Sequence, residues 1–260
     1  MIKIQKNISL KEYTTFKIGG LAKYFCKVNN KGDLIKAIDF AKDKKLSFFV
    51  LGGGSNILVS DNGFNGLVIL IDNKELKTNK NIIISGAGTR LSDLVKFSIE
   101  NNLTGLEWAI GIPGTVGGAV NVNAHAFGSD MSEITRKTEK YKNIIFSIEL
   151  ELKTDNQEES KELIKKYSER RMNTQPLEYP SAGCIFRNIP NQGAGRLIDQ
   201  AGLKGIRIGD AMISDKHANF IINLGEAKSE DITKLIKLIK QKVKDKFNIE
   251  LEEEIEYLGF

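Results

Sequence analysis

The sequence has little of the chemistry that metal sites and disulfide frameworks need. Its 260 residues include only two cysteines, Cys26 and Cys184, and two histidines, His125 and His217. Two cysteines cannot form a disulfide framework, and no CxxC or HxxxH spacing occurs. Neither histidine has a ligand-like neighbour in sequence, so we expect no metal site.

Long apolar runs are also absent. No stretch approaches the ~18 consecutive apolar residues of a membrane span. The opening MIKIQKNISLKEYTTF lacks the apolar core of a signal peptide. Hydrophobic residues make up 41% and charged residues 27% of the chain, which is typical of a soluble globular protein. We therefore expect a cytoplasmic protein with no membrane partner.

The charge balance is basic, with a formal net charge of +5 and a pI of about 9.0. The basic residues are mostly lysines spread along predicted helix faces, and many stand beside Glu or Asp. This distribution argues against a nucleic-acid surface and favours a basic pocket for an anionic substrate. It does not give the oligomeric state, for which a monomer is the favoured interpretation.

Hydrophobic periodicity predicts an α+β fold with glycine-rich turns between its elements. Helical spacing of apolar residues is found in 33–45, 91–102, 160–171 and 229–247, and Asp33 is a candidate cap for the first helix. Strand patterns are found in 48–51, 67–71, 82–84, 144–152 and 251–260.

The pattern changes character near residue 154, where we place a domain boundary. Residues 1–154 form the predicted first domain, with two subdomains split near residue 75. Residues 155–248 form a smaller second domain. The last strand, within 249–260, is expected to return to the first domain.

Three glycine-rich segments follow predicted strands or lie between them: GGGSN at 52–56, GAG at 86–88 and GIPGTVGGA at 111–119. Glycine lets the backbone approach a ligand closely, so that N–H groups can point at phosphate oxygens. Ser55, Asn56 and Thr115 add side-chain donors without bulk. Tight turns alone would explain one such segment. Three together favour a pyrophosphate site, although none has the spacing of an NTPase loop or of GxGxxG.

Seven segments, in order along almost the whole chain, resemble the UDP-N-acetylenolpyruvoylglucosamine reductase family. The combination of GIPGTVGGA with KHANFI is highly specific. The segments are YTTFKIGG (13–20), LGGGSNIL (51–58), GIPGTVGGAVNVNA (111–124), PSAGCIFRN (180–188), GRLIDQAGLKG (195–205), SDKHANFI (214–221) and LEEEIEYLG (251–259).

The resemblance implies a two-part FAD-binding domain of the vanillyl-alcohol oxidase type and a smaller α+β substrate domain. Because no histidine precedes residue 125, the FAD is expected to be bound non-covalently. We expect Gly117 at the closest backbone approach to it. The residues expected to hold FAD are Gly52, Gly53, Gly54, Ser55, Asn56, Gly111, Ile112, Gly114, Thr115, Gly117, Gly118 and Asn123.

The activity implied by the resemblance is NADPH-dependent reduction of the enolpyruvyl ether of UDP-N-acetylglucosamine, a step of peptidoglycan precursor synthesis. Cys184 stands where the family has a serine, or in some members a cysteine, as proton donor. A thiol with an ordinary pKa of about 8.5 begins mostly protonated at neutral pH. Glu254 matches the family's glutamate, and alternation along the predicted last strand puts Glu252 and Glu256 on the same face.

The family's catalytic arginine stands in a Tyr-Arg-x-Ser motif, which we match to Arg136 in TRKT. The stretch before it is shortened to FGSDMSE, and NAHAFG replaces the usual NAGAYG. There is no room between residues 160 and 180 for the tyrosine-bearing insertion of one subclass, so the chain resembles the class without it. The residues expected to bind or support the substrate are Asn188, Gln175, His217, Asn219, Arg171 and Arg196.

Two alternatives stay open at this point. One is another FAD oxidoreductase of the same fold, such as an oxidase of small alcohols or sugars, against which the GCIFRN and LEEE motifs argue. The other is a catalytically inactive flavin-binding homologue, which the shortened stretch before Arg136 makes plausible.

Overall fold

The computed structural model describes residues 2–154, 157–189 and 192–260. Strands and helices alternate along the chain, and single 3-10 turns form at Lys11–Tyr13 and Glu107–Ala109. The elements are β1 (Gln5–Ser9), β2 (Leu21–Val28), α1 (Lys31–Asp43), β3 (Phe48–Leu51), β4 (Ile57–Val59), β5 (Phe64–Ile71), β6 (Leu76–Asn79), β7 (Ile82–Gly86), α2 (Leu91–Glu100), β8 (Leu103–Thr104), α3 (Val116–Asn121), β9 (His125–Ala126), β10 (Ser129–Asp130), α4 (Met131–Ile134), β11 (Thr135–Tyr141), β12 (Ile144–Glu151), β13 (Lys153–Thr154), α5 (Gln157–Thr174), α6 (Ala194–Gln200), β14 (Arg207–Ile208), β15 (Ala211–Ile213), β16 (Ile221–Asn223), α7 (Ser229–Phe247) and β17 (Glu256–Leu258).

The four predicted helices are confirmed as α1, α2, α5 and α7, with small differences at their ends. The predicted cap of α1 was wrong. Asn30, not Asp33, is the N-cap, because its side-chain oxygen accepts a hydrogen bond of 2.9 Å from the backbone N–H of Asp33. This is the usual geometry of an asparagine cap, and it places the Asp33 carboxylate in the first turn, where the helix dipole favours negative charge.

The fold divides into two compact units whose bounds differ from the predicted domains. Unit 1 contains Tyr24–Gly53 and Gly66–Arg171, together with the first residues up to Lys6. Unit 2 contains Asn7–Lys23, Gly54–Asn65 and Met172–Phe260. Helix α5 therefore belongs to unit 1, whereas the predicted boundary fell before it. The predicted domain start at residue 155 lies outside the described residues.

Unit 1 contains parallel and antiparallel strands covered by amphipathic helices. Its strand β3 pairs in parallel with residues 67–70 of β5. A second sheet has the order β11-β12-β7-β6, with antiparallel pairing throughout. Helices α1 and α2 bury their apolar faces in a core that includes Leu34, Ile38, Leu94 and Ile148. Burial of these side chains is the main favourable term in the stability of the unit.

Strands β11 and β12 form a tight hairpin in unit 1. Tyr141 pairs with Ile144, so that Lys142 and Asn143 make a two-residue turn. Both have positive φ values, of 47° and 65°, as a hairpin turn of type I′ requires. The shortened stretch, FGSDMSE, is thus followed by a compact hairpin rather than by a hairpin with a longer loop.

Unit 2 packs around α7, whose predicted apolar stripe is buried as expected at Ile232, Leu235, Ile236, Ile239 and Val243. The three-stranded sheet β14-β15-β16 lies in the same unit. Only Glu256–Leu258 of the final segment forms a strand, β17, and it pairs in parallel with β4. The last strand thus returns to residues 57–59, which are early in the sequence but belong to unit 2.

Candidate active site

Gly52 and Gly53 of the first glycine segment lie in unit 1 together with the second and third segments. An ideal Cβ on Gly53 would lie 2.5 Å from Cα of Gly114, and one on Gly52 would lie 2.7 Å from Oγ1 of Thr115. Neither distance is compatible with a Cβ in the present arrangement, so both glycines allow the first loop to pack against the third. At Gly53 the neighbouring backbone excludes a side chain, and at Gly52 the hydroxyl of Thr115 occupies the space.

The second loop, GAG, is hydrogen-bonded to the third. The backbone N–H of Leu91 donates to the carbonyl of Gly114 at 3.1 Å, that of Val116 to Thr89 at 2.8 Å, and that of Gly117 to Ala87 at 2.9 Å. These bonds join both sides of the loop that precedes α3. The result is a cluster of glycine-rich loops from three separate parts of the sequence, in which the GAG segment is buried.

Gly117 and Gly118 face different surroundings. A Cβ on Gly117 would lie 2.6 Å from Cβ of Ala87, so its missing side chain is explained by packing between two loops. Gly118 is exposed, and its nearest neighbour would be Oγ1 of Thr115 at 3.6 Å, an ordinary contact. The structure therefore gives a reason for glycine at 117 other than the expected approach to FAD, and it leaves open space at 118.

The start of α3 is capped from within the same loop. Oγ1 of Thr115 accepts a hydrogen bond of 3.5 Å from the N–H of Gly118. Ile112 is half-buried against the unit 1 core. After the helix, Asn123 has a φ of 48° and its side chain accepts from the N–H of Ser132 at 2.9 Å. The loop is thus ordered by its own contacts, and it leaves open space beside Gly118, which fits a bound ligand such as FAD.

The remaining residues of the first glycine segment lie in unit 2. Gly54 has a φ of 63°, and a Cβ there would lie 2.0 Å from the carbonyl oxygen of Tyr13. Ser55 is half-buried. The side-chain amide of Asn56 donates to the backbone carbonyl of Glu254 at 3.0 Å, and the carbonyl of Asn56 accepts from the N–H of Glu256 at 2.9 Å. Asn56 therefore holds the segment that carries the predicted glutamate.

Cys184 lies on an extended segment of unit 2 that Asn219 holds in place. Cys184 is half-buried and forms an isolated antiparallel bridge with Phe220. The side-chain oxygen of Asn219 accepts from the N–H of Phe186 at 3.0 Å, while its amide donates to the carbonyl of Phe186 at 2.8 Å. Because Asn219 is 1% exposed, this contact positions the backbone next to Cys184. Before Cys184, Gly183 has a φ of 75° and open space where a side chain would be.

Glu254 lies directly beside this segment. Its N–H donates to the carbonyl of Ile185, the residue after Cys184, at 2.8 Å, and Phe186 bridges Glu253 in the antiparallel sense. Glu254 is half-buried, whereas Glu252 and Glu256 are exposed. The expectation of three glutamates on one face of a strand was wrong, because residues 252–254 lie outside β17.

Glu253 fixes the same segment through its side chain. It accepts a hydrogen bond from Nζ of Lys240 at 2.7 Å and a short one from the hydroxyl of Tyr257. Partial burial acts to raise the pKa of Glu253, but the two donors outweigh it and the pKa lies below its usual value. Burial, and then the Glu253 acceptor, raise the pKa of Tyr257. No feature of the sequence distinguishes Glu253 from the glutamates beside it.

Arg136 is exposed and lies on β11 in unit 1. The register of β11 against β12 passes from Thr135, opposite Leu150, to Lys137, opposite Glu149, so that Arg136 has no partner in the ladder. This is a β-bulge, a device that turns a side chain away from the regular alternation and is common beside active sites. Thr135 supports it by donating from Oγ1 to the carbonyl of Met131 at 2.6 Å.

Three other predicted substrate residues, Asn188, Gln175 and His217, lie in unit 2, whereas Arg171 lies in unit 1. Asn188 is exposed, and its side-chain oxygen accepts from the N–H of Ala194 at the start of α6, at 3.1 Å. Gln175 is half-buried just after α5. Nδ1 of His217 is buried without a hydrogen-bond partner, and its ring meets Phe220 edge-on. Desolvation lowers the pKa of His217, and Lys204 lowers it further, so the imidazole is neutral at neutral pH.

Metal-binding clusters and membrane-spanning helices were searched for in the described residues. No group of three or more His, Cys, Asp or Glu side chains within residues 2–154, 157–189 and 192–260 is arranged to hold a metal ion. Among the helices of these ranges, none is long and apolar enough to cross a membrane.

Cys26 is buried in unit 1, where desolvation raises the pKa of its thiol to about 12.

Comparison with known proteins identifies both halves of this arrangement. Residues 22–142 match the sequence profile of an FAD binding domain, and residues 175–258 match that of the UDP-N-acetylenolpyruvoylglucosamine reductase C-terminal domain. The fold and its glycine-lined site therefore define an FAD-containing oxidoreductase of the α+β class, and the fold-class and cofactor predictions are confirmed.

Curated relatives and a solved structure then give the family. The chain is 42% identical to a UDP-N-acetylenolpyruvoylglucosamine reductase of Caldicellulosiruptor bescii, over 99% of this chain and 91% of that protein. It is 35% identical to that of Clostridium novyi, over 99% and 92%. The crystal structure of the Thermus caldophilus enzyme superposes with a TM-score of 0.86 at 34% identity, covering 99% of this chain and 100% of that one. The chain belongs to the UDP-N-acetylenolpyruvoylglucosamine reductase family.

Proposed function

We propose that this protein reduces the enolpyruvyl ether of UDP-N-acetylglucosamine to UDP-N-acetylmuramate, with NADPH as the reductant. The relatives' names support the reaction, and the adjacency of Glu254 and Cys184 supports its placement. The N–H of Glu254 is bonded to the carbonyl of Ile185, so two residues of the proposed catalytic set lie on neighbouring segments of unit 2. This adjacency is the observation that carries the proposal.

Held by the glycine loops of residues 52–56 and 111–119, FAD would supply hydride-transfer chemistry, with NADPH as the source of the hydride. A substrate that has accepted hydride at its enolpyruvyl methylene carbon carries negative charge on the neighbouring carbon, delocalised into its carboxylate. The residues of this chain must stabilise that charge and deliver one proton. The product contains one added hydride and one added proton, which together saturate the double bond.

Cys184 is the proposed proton donor to the carbon that bears the charge. Cys184 is half-buried, and the residue before it, Gly183, has open space where a side chain would be, which supports a role in contact with a ligand. A neutral thiol is a competent general acid near pH 7, since its ordinary pKa is about 8.5. The resulting thiolate regains its proton from solvent before the next turnover.

Glu254 and Arg136 are the proposed stabilisers of the enolate. Glu254 acts in its acid form or by polarising the substrate carboxylate, and Arg136 supplies a guanidinium with paired N–H donors. Of the four neighbouring carboxylates, the half-buried Glu254 is better suited than the exposed Glu252 and Glu256, because charge interactions weaken in water. Glu253, also half-buried, is engaged by Lys240 and Tyr257. The bulge at Arg136 is consistent with a re-aimed functional side chain.

The proposed division of labour follows the two units. The glycine loops of unit 1 bind FAD, residues 175–248 of unit 2 bind the UDP-sugar, and the segment before β17 carries Glu254. The two profile matches, at 22–142 and 175–258, support this division. Asn188, Gln175, His217 and Asn219 are the proposed residues of the substrate domain, with Asn219 acting by positioning the segment of Cys184.

The proposal is tested with the purified yellow protein under anaerobic conditions. Addition of NADPH should bleach the flavin absorbance, and subsequent addition of the enolpyruvyl substrate should restore it. Acid precipitation should release the FAD into the supernatant, because the cofactor is not covalently bound. Bleaching without recovery would identify an inactive flavin-binding homologue, whereas rapid reoxidation only by O₂ with a small alcohol or sugar as reductant would identify an oxidase.

A further inference from the structure

Helix α5 is polar over most of its surface but has one inward face. That face consists of Ser160, Ile164, Tyr167 and Arg171, spaced by four, three and four residues as a helix requires. Ser160 donates to the buried Glu107 at 2.6 Å, which explains its burial. Arg171 is 7% exposed, and it is unusual for an arginine to be one of the two buried residues of a charged helix.

Arg171 is buried against aromatic and backbone groups of unit 1. Its guanidinium carbon lies 5.2 Å from the ring centre of Phe127. Phe127 in turn stacks on Tyr167, with centroids 4.2 Å apart and an angle of 7° between the rings. A guanidinium in this position gains a favourable cation–π contact, which strengthens as water is excluded. The neighbouring Arg170 lies 5.4 Å from the same ring but is exposed.

Arg171 also contacts the start of the third glycine loop. An ideal Cβ on Gly111 would lie 3.0 Å from Cδ of Arg171, so the arginine stem occupies the space beside this glycine. Gly111 and Phe127 begin and end the segment that contains the glycine loop and α3. One buried side chain therefore touches both ends of the segment whose glycines fit FAD.

We propose that Arg171 is a further cofactor-binding residue, which anchors the segment 111–127 and supplies the positive charge that favours the diphosphate of FAD. This inference rests on the proposed function only in its assignment of FAD to the glycine loops. A buried charge acts on an anionic ligand through less water than an exposed one, and arginine is well suited to phosphate oxygens. Arg170, on the same helix but exposed, provides a matched control.

The test compares two ligands that share the flavin ring but differ in charge. FAD and riboflavin are titrated into apo-protein, and binding is followed by quenching of flavin fluorescence. For R171M, which keeps a long apolar stem, we expect FAD affinity to fall about tenfold or more, since a charge-assisted contact is lost. Riboflavin affinity should change by less than about twofold, and R170M should resemble wild type for both ligands.

R171K provides a second variant, should R171M fail to fold. It keeps the charge, so the preference for FAD over riboflavin should be retained, and this preference should decrease with added salt in wild type and R171K. Equal losses of FAD and riboflavin affinity with a lower Tm of the apo-protein would overturn the proposal, because they indicate packing alone. Unchanged FAD affinity in R171M would also overturn it. Failure of wild-type apo-protein to bind FAD would instead reject the FAD assignment itself.

Discussion

The side-chain amide of Asn56 donates a hydrogen bond of 3.0 Å to the backbone carbonyl of Glu254, joining residues that are 198 positions apart in sequence. Asn56 belongs to the first glycine segment, and Glu254 is the proposed stabiliser of the enolate. The backbone of Glu254 is therefore held by Asn56 through its carbonyl and by Ile185 through its N–H. The cofactor segment and the catalytic segment are thus linked within unit 2.

This relationship predicts that Asn56→Ala impairs more than cofactor binding. Loss of the donor leaves the Glu254 carbonyl without that bond, at a cost of about 1–3 kcal/mol in the free energy of unfolding. Reoxidation of the reduced flavin by substrate should slow more than its reduction by NADPH, because Glu254 acts only in the second step. Urea unfolding and stopped-flow absorbance measure the two effects. Ser55→Ala is the control, and equal behaviour of the two variants would contradict the prediction.

The contrast between Gly117 and Gly118 predicts opposite effects of the same substitution. Gly117→Ala should destabilise the apo-protein by about 1–3 kcal/mol, because the new Cβ overlaps that of Ala87. Gly118→Ala should leave the apo-protein as stable as wild type, or raise its stability by up to ~1 kcal/mol, because alanine favours the helix.

FAD retention completes this comparison. Gly118→Ala should bind FAD more weakly in spite of its stable fold, because the methyl group enters space that is open in the protein and is available to the cofactor. Thermal unfolding of the apo-protein and FAD titration are measured on both variants. A Gly118→Ala protein with wild-type FAD affinity would show that the cofactor does not approach this residue.

Cys184 is predicted to affect only the second half-reaction. Cys184→Ala should leave NADPH reduction of the flavin nearly intact and slow its reoxidation by substrate by roughly 10²–10⁴, the usual contribution of a general acid. Cys184→Ser should keep much of the activity, since a hydroxyl also carries a transferable proton. Anaerobic stopped-flow of each half-reaction measures both rates. Equal slowing of the two steps would indicate that Cys184 is a structural residue.

Glu254 is predicted to stand apart from the glutamates on either side. Glu254→Gln should slow flavin reoxidation by about 10²–10³ while NADPH oxidation is spared, because a preorganised group at the developing charge is lost. Glu252→Gln and Glu256→Gln should be mild, since both side chains are exposed. The three variants are compared in the same substrate-dependent reoxidation assay. A large effect at Glu252 instead would mean that the family's glutamate is matched to the wrong position.

Many of the helices and strands could be predicted from the local spacing of apolar residues in the sequence. The stripe of α7 and the apolar run of β3 were predicted with their observed ends, since helical and strand burial impose different periods on the sequence. The N-cap Asn30 was not predicted, because asparagine and aspartate are both good caps. The two positions differ by about one helical turn in where α1 begins, which the sequence pattern does not resolve.

Long-range contacts could not be obtained in this way. The side chain of Asn219 is hydrogen-bonded to the backbone of Phe186, 33 residues earlier in the sequence. From the sequence alone, an asparagine at this position could equally well contact a ligand. Arg171 was expected in the substrate domain, yet it lies in unit 1 against Phe127. In both cases the partner is brought near by folding of other segments, so no spacing in the sequence encodes it.

Arg136 provides the strictest test of the proposed site, because its assignment depends on the alignment across the shortened stretch. Arg136→Lys keeps the charge but loses the planar pair of N–H donors, so flavin reoxidation by substrate should fall by about 10²–10³ with NADPH oxidation spared. Arg136→Ala should fall further. Lys137→Ala is the matched control on the same strand, as Lys137 is exposed and its ion pair with Glu149 is long, at 3.8 Å.

The combination of Arg136 with Glu254 then tests whether the two act on one charge. If both stabilise the same enolate, the double variant Arg136→Ala/Glu254→Gln should lose less than the sum of the single losses in activation free energy. Full additivity would indicate separate roles. Wild-type reoxidation in Arg136→Ala would reject the arginine assignment and the alignment behind it. The bulge on β11 would then be a structural irregularity, and Arg187, whose N–H bonds to the carbonyl of Glu252 beside the catalytic segment, would be the next residue to replace.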